Sequence, residues 1–96
     1  METVIIQLWE ESHKNGTISS DGCSLHTDIK NKDNYVNSFY KEREYNIPDT
    51  YERIVGSPTS VLITDAISNI LKEEKNIRLS EIELNNLVGL KEILPI

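Results

Sequence analysis

The chain has 96 residues and a mass of 11.0 kDa, with ten basic and sixteen acidic side chains and a net charge of −6. Leu, Ile, Val and Phe supply 28 of these residues, above the share of less than about 20% that is typical of disordered chains. A folded chain is therefore expected, and a pI near 4.8 argues against direct nucleic-acid binding, which favours basic surfaces.

Location and domain organisation follow from the same counts. Cys23 is the only cysteine, which excludes an intrachain disulfide and favours a reducing compartment. No signal peptide is visible, and no apolar stretch approaches the roughly 18 residues of a membrane helix. We expect a single cytoplasmic domain over residues 1–96, with no cofactor and no membrane partner.

Residues 3–15 fit two kinds of secondary structure. The Asn15-Gly16 pair is a typical left-handed stop for a helix. Apolar side chains also alternate from Val4 to Leu8, which fits a strand. The acidic pair that follows is unfavourable in a strand, so the sequence favours the helix.

Residues 17–27 are predicted to form a β-hairpin. Asp21 and Gly22 tolerate positive φ and lie between alternating residues, which favours a tight turn. The predicted inward side chains are Ile18, Cys23 and Leu25. The predicted outward side chains are Ser24 and His26.

Residues 29–44 have the periodicity of an amphipathic helix whose cap is Asp28 or Asn31. Its predicted apolar stripe comprises Ile29, Val36, Phe39 and Tyr40. Residues 45–48 are expected to form a loop. Asp49 is predicted to start a short helix that stops at Gly56, with a break over Gly56-Ser57-Pro58.

The C-terminal part alternates between strand and helix signals. Residues 60–64 are β-branched and predict a strand. Helix 66–74, strand 77–79 and helix 81–88 follow, the last with a Ser80–Glu83 capping box. The apolar tail 90–96 is expected to pack. Together these elements predict an α+β fold. A small antiparallel sheet, formed by hairpin 17–27 and strand 60–64, packs with three to four short helices.

Local motifs for common chemistries are missing. The four glycines never meet the spacing of a P-loop or of a dinucleotide-binding loop, and no zinc or EF-hand pattern is present. Cys23, His26 and His13 are candidate metal ligands or an enzyme's nucleophile and base. However, Cys23 and His26 are three apart on one predicted strand and point to opposite faces. Neither a metal site nor an enzyme is therefore predicted.

Aromatic residues are concentrated in one segment. Five of the six lie within seventeen residues, with Lys and Arg between them. Tyr and Arg are enriched at binding hot spots because each offers a large contact area with a polar handle. The alternative is that the rings merely cover the core. The residues predicted to contact a partner or ligand are Tyr35, Tyr40, Arg43, Tyr45, Tyr51 and Arg53.

Two functions fit these features. The first is a small acidic non-enzymatic binding protein, an inhibitor of a macromolecular partner of the immunity, antitoxin or phage anti-defence type. A protein partner is expected in this case, since opposite charge accelerates encounter with a basic surface. The alternative is a homo-oligomer that binds a small, nucleotide-like ligand in a Tyr- and Arg-lined pocket between subunits, since a chain this short has little interior for a cavity.

Overall fold

The computed structural model describes residues 2–42 and 49–96. The elements are β1 Glu2–His13, β2 Ile18–His26, α1 Ile29–Glu42, β3 Thr50–Ile63, α2 Asp65–Glu74, β4 Asn76–Leu79, α3 Glu81–Gly89 and β5 Ile93–Pro95. The strands form one antiparallel sheet in the order β4-β2-β1-β3-β5. The predicted α+β class is confirmed, with three helices in the described ranges.

The predicted helix over residues 3–15 is wrong, because this segment forms strand β1 at the centre of the sheet. Its side chains are buried on both faces, Val4 and Ile6 on one and Gln7 and Trp9 on the other. A central strand covered on both sides needs no strict apolar–polar alternation. The predicted helix stop is instead the β1–β2 turn, where Gly16 has a φ of +89°.

The Asp21-Gly22 pair is not the hairpin turn. Leu8 pairs with Cys23, and Glu10 pairs with Ser20, so two residues of β2 lie opposite one residue of β1. This is a β-bulge, and it requires Gly22, whose φ is +76°. A Cβ added there would lie 2.0 Å from a backbone oxygen of β4.

The predicted orientations along β2 are partly correct. Cys23 and Leu25 are fully buried in the core, as predicted. Ile18 is 52% exposed, contrary to the prediction, because it lies beyond the helices that cover the core. Ser24 and His26 were predicted to face outward but are fully buried, since the second face of the sheet is also covered.

Helix α1 confirms the prediction over its described length, and it covers that second face. Oδ1 of Asp28 accepts a hydrogen bond from the backbone N–H of Asn31 at 2.8 Å, so Asp28 is the cap. Val36 is buried as predicted, whereas Ile29 is 46% exposed. The predicted loop at 45–48 lies outside the described residues.

The short helix predicted from Asp49 to Gly56 is wrong. Residues from Thr50 onward belong to β3, which also contains most of the predicted strand 60–64. The predicted break is an irregularity within β3, where residues 56–58 lie opposite Gln7. Nε2 of Gln7 donates to the carbonyl oxygens of Val55 and Gly56 at 3.1 and 3.2 Å, which satisfies backbone groups that the bulge leaves unpaired.

The C-terminal elements follow the prediction closely. α2, β4 and α3 match their predicted ranges within about two residues. Ser80 and Glu83 form the predicted capping box, with both hydrogen bonds at 3.2 Å. The apolar tail adds β5 to the edge of β3, and Ile93 is buried there.

One face of the sheet holds the main core, which α2 and α3 cover. Its buried members are Val4, Ile6, Cys23, Leu25, Val61, Ile63, Ile67, Leu71, Leu79 and Ile93. The strands are much longer than these helices: the fourteen residues of β3 rise about 3.3 Å each in a molecule whose longest dimension is 40 Å, whereas ten residues of α2 extend about 15 Å. The helices therefore leave one end of this face uncovered.

Candidate binding surfaces

The face of the sheet beneath α1 is built around Trp9, which is 1% exposed. The ring centres of Tyr35 and Phe39, both on α1, lie 6.0 and 5.2 Å from that of Trp9. Tyr35 also packs 5.2 Å from the ring of His26. Burial raises the pKa of the Tyr35 hydroxyl, so this ring is part of the packing under α1.

A buried chain of hydrogen bonds continues from the Trp9 ring. Nε1 of Trp9 donates to Oγ of Ser24 at 2.7 Å, and Nε2 of His26 lies 2.6 Å from the same oxygen. The amide of Asn76 lies 2.6 Å from Nδ1 of His26. Burial lowers the pKa of His26, so the ring is neutral at physiological pH. Ser24 and His26 are both fully buried, so the chain is structural.

Two carboxylates converge on one arginine at the end of this face. Nη2 of Arg78 lies 3.0 Å from Oδ2 of Asp21 and 3.1 Å from Oε1 of Glu52. Burial and the hydrogen bond with Asp21 raise the pKa of Glu52 to about 7, against the pull of Arg78. Glu11 and Asp21 add like charge that acts in the same direction. One guanidinium therefore compensates two acids at this end of the face.

The structure divides the predicted contact residues between two faces of the sheet. Tyr35 belongs to the face beneath α1. The hydroxyl of Tyr40 reaches strand β3 and accepts a hydrogen bond from the backbone N–H of Ile54 at 3.2 Å. Tyr51 and Arg53 lie on the opposite face, since they pair with Ser12 and Glu10 across the sheet. Arg43 and Tyr45 lie outside the described residues.

The uncovered end of the core face brings Tyr51 and Arg53 together with exposed apolar side chains. The extra residues of the two bulges lie in β2 and β3, not in β1. Side chains of β1 therefore continue to alternate between the two faces of the sheet beyond Leu8. The pairing register then defines the residues that share this surface. We call it the open sheet face, and it comprises Leu8, Glu10, Ser12, Ile18, Ser20, Tyr51, Arg53 and Val55.

The open sheet face has an ion pair in its middle, where Arg53 pairs with Glu10. Leu8 and Val55 lie on one side of this pair and Ile18 lies on the other, and these three side chains are 49%, 39% and 52% exposed. Together with α3 they border a recess of about 360 Å³. Nε of Arg53 donates a hydrogen bond to the carboxylate of Glu10, whose side chain is only 18% exposed. This hydrogen bond and the charge of Glu10 raise the pKa of Arg53, so the guanidinium remains charged between the aliphatic side chains.

Sequence reasoning identified Tyr51 and Arg53 but missed the three aliphatic residues. The sequence predicts that Ile18 faces inward and that Val55 lies in a short helix, and it does not single out Leu8 as exposed. The length of the strands could have indicated these residues, because short helices leave part of a sheet of long strands uncovered. That inference requires residues 3–15 and 49–56 to be predicted as strands, whereas the sequence favours helices there.

Cys23 and the histidines do not form a reactive group. Burial raises the pKa of the Cys23 thiol to about 11, so it stays protonated. Cys23 pairs with Leu79 and His26 with Asn76, which places the two side chains on opposite faces. His13 lies at the far end of β1, where Nε2 is 3.2 Å from a carboxylate oxygen of Glu11.

Neither a metal-binding group, nor a membrane-spanning helix, nor a related protein indicates the function of the described residues. Over residues 2–42 and 49–96, no group of three or more His, Cys, Asp or Glu side chains is placed to hold a metal ion. None of the described helices combines the length and the apolar character needed to cross a membrane. Compared with known proteins, the chain matches no protein-family model, no curated protein and no solved structure.

Proposed function

We propose that this protein is a small acidic non-enzymatic binding protein that docks onto a protein partner through the open sheet face. Such a protein acts by covering part of its partner's surface, which is the action of an inhibitor. The observation that carries the proposal is the exposure of Leu8, Ile18 and Val55 around one recess on the same face of the sheet.

The three exposed aliphatic side chains supply the favourable free energy of docking. Burying an exposed aliphatic side chain contributes roughly 25 cal/mol for each Å² removed from water. The sheet holds these side chains on adjacent strands, so little conformational entropy is lost when a partner covers them.

Arg53 and Tyr51 supply polar and aromatic contacts beside these aliphatic side chains. The side chain of Arg53 is 42% exposed and is held by Glu10, so its guanidinium is already oriented. Tyr and Arg are the residue types that dominate interface hot spots. These two residues are the part of the sequence-predicted contact set that the proposal retains.

Binding rather than catalysis is supported by the state of the reactive groups. The Cys23 thiol is buried and its pKa is about 11, and the His26 ring is buried with a lowered pKa. Neither group reaches solvent, and a nucleophile or general base must reach its substrate. The open sheet face carries instead three exposed aliphatic side chains and one ion pair.

Comparative affinity capture tests this function. The wild-type protein is compared with a triple variant, Leu8→Thr, Ile18→Thr and Val55→Thr, in lysate of the native host. Threonine has the β-branching that strands favour, and it reduces the apolar contact at each position. We expect the captured partner to fall at least tenfold with the triple variant.

A matched control variant carries Ile82→Thr and Leu90→Thr, which are 74% and 72% exposed and lie outside the open sheet face. It should retain the partner. Light scattering at about 100 µM distinguishes a foreign partner from a second copy of this chain. Equal capture by wild type and triple variant, or a dimer that only the triple variant dissolves, would contradict the proposed function.

A further inference from the structure

The covered part of the core face contains an apolar cleft between α2 and α3, with a volume of about 370 Å³. Its floor is formed by the buried sheet residues Leu25 and Leu79. Its walls are formed by both helices. This cleft lies outside the residues of the open sheet face.

The size and lining of the cleft are those of a binding groove. Ligand-binding pockets have volumes of about 300–1,000 Å³ and are mostly lined by apolar side chains. Ile70, on the α2 wall, is 53% exposed, and Leu87 of α3 is half-buried. An occupant with apolar side chains would bury both while it extends the core already formed by Ile67.

The charge of the walls indicates the chemistry of the occupant. α2 and α3 together contain five carboxylates and one lysine, Lys72. Glu83 and Glu92 line the cleft itself. Opposite charges near an apolar groove steer and orient a binding segment. The acidic side chains therefore favour a segment that carries Lys or Arg beside its apolar anchors.

We infer that the cleft between α2 and α3 binds a basic amphipathic helix of a protein partner. Such a helix places apolar side chains at spacings of three and four residues along one face, and a groove takes them as anchors. Lys and Arg side chains flanking that face lie opposite Glu83 and Glu92. This docking site shares no residue with the open sheet face. An experiment that refutes binding at one of the two surfaces therefore leaves the proposal for the other unaffected.

Fluorescence anisotropy with a synthetic peptide tests the inference. The peptide is an 18-residue fluorescein-labelled chain of Leu and Lys, with Leu at positions that form one helical face. One comparison peptide has the same composition in scrambled order. The other keeps the order and has Glu in place of every Lys. The wild-type protein should bind the first peptide with a dissociation constant at least tenfold lower than it binds either comparison peptide.

Two pairs of variants locate the binding site. Glu83→Gln with Glu92→Gln removes two charges at the cleft, and glutamine keeps the capping bond of α3. Glu73→Gln with Glu74→Gln removes the same charge from exposed positions outside the lining. Ile70→Thr and Ile82→Thr form an equivalent apolar pair, inside and outside the cleft. We expect at least fivefold weaker binding only for Glu83→Gln with Glu92→Gln and for Ile70→Thr.

Several results would overturn the inference. Equal binding of the scrambled peptide would show that no helical face is recognised, and equal binding of the Glu peptide would exclude recognition of positive charge. Equal losses from the two double variants would indicate general charge attraction only. A dimer that Ile70→Thr dissociates in sedimentation would assign the cleft to a second copy of this chain.

Discussion

The guanidinium carbon of Arg78 lies 4.4 Å from the centre of the Trp9 ring. This cation–π contact holds a β4 side chain across the sheet, so that Nη2 reaches Asp21 of β2 and Glu52 of β3. A single side chain therefore connects four adjacent strands. The arrangement also places the chain's only tryptophan where its fluorescence reports on this cluster.

Glu52→Gln should make stability less sensitive to pH. The folded-state pKa of Glu52 is raised from 4.5 to about 7, so the folded state holds this proton more tightly than the unfolded state does. Its contribution to stability is fully present below about pH 4.5 and is lost as the pH rises through about 7. Glutamine cannot ionise, so the variant should gain stability relative to wild type between pH 5 and pH 8.

Urea denaturation followed by Trp9 fluorescence at pH 5 and pH 8 measures this difference. Taking the difference between variant and wild type removes the opposite pH dependence of His26, whose lowered pKa makes stability fall as the pH drops below its ordinary value of 6.5. Glu73→Gln, at an exposed position of α2, serves as the control. A Glu52→Gln difference that does not change with pH would refute the prediction.

Arg78→Met should destabilise the fold more at pH 8 than at pH 5. At pH 8 it leaves Asp21 and Glu52 ionised together without their shared cation. We expect a loss of about 2 kcal/mol there, below the 3–5 kcal/mol of fully buried pairs because all three side chains keep some solvent contact. At pH 5 Glu52 is protonated, so the loss should be smaller. The same urea titrations check this, and a larger loss at pH 5 would contradict the shared-cation arrangement.

Gly22→Ala should be much more damaging than Gly16→Ala, although both glycines have positive φ. A Cβ at Gly16 meets nothing within 4 Å, whereas one at Gly22 would lie 2.0 Å from the carbonyl oxygen of Leu79. Backbone strain alone costs about 1 kcal/mol, which we expect for Gly16→Ala. Gly22→Ala should lose at least about 3 kcal/mol, since β2 and β4 must separate. Thermal denaturation compares the two, and equal losses would exclude the close approach.

The C-terminal half of the fold follows from local signals, whereas the N-terminal half does not. The Ser80–Glu83 capping box sets the start of α3 within one turn of chain, so sequence alone locates it. β1 offers only the short alternation from Val4 to Leu8, because burial on both faces blurs the pattern that identifies a strand, and the helix stop at Asn15-Gly16 outweighs it. Asp21-Gly22 has the composition of a turn, and only pairing with β1 makes it a bulge.

The candidate surface was predictable only in part for the same reason. Tyr51 and Arg53 were singled out because residue type alone carries that signal. Their separation from Tyr35 depends on sheet register, which places Arg53 opposite Glu10 on one face and Trp9 on the other. Register is a property of pairing between distant segments, so no local pattern reveals it.

Site-specific photo-crosslinking tests the proposed binding surface most directly. A p-benzoylphenylalanine in place of Val55, which pairs with Leu8 on the open sheet face, is compared in the native host with the same residue in place of Ile82 on α3. We predict a discrete crosslinked adduct with one partner protein from position 55 and none with that partner from position 82. The same partner crosslinked from position 82 alone, or no adduct from position 55, would contradict binding through the open sheet face.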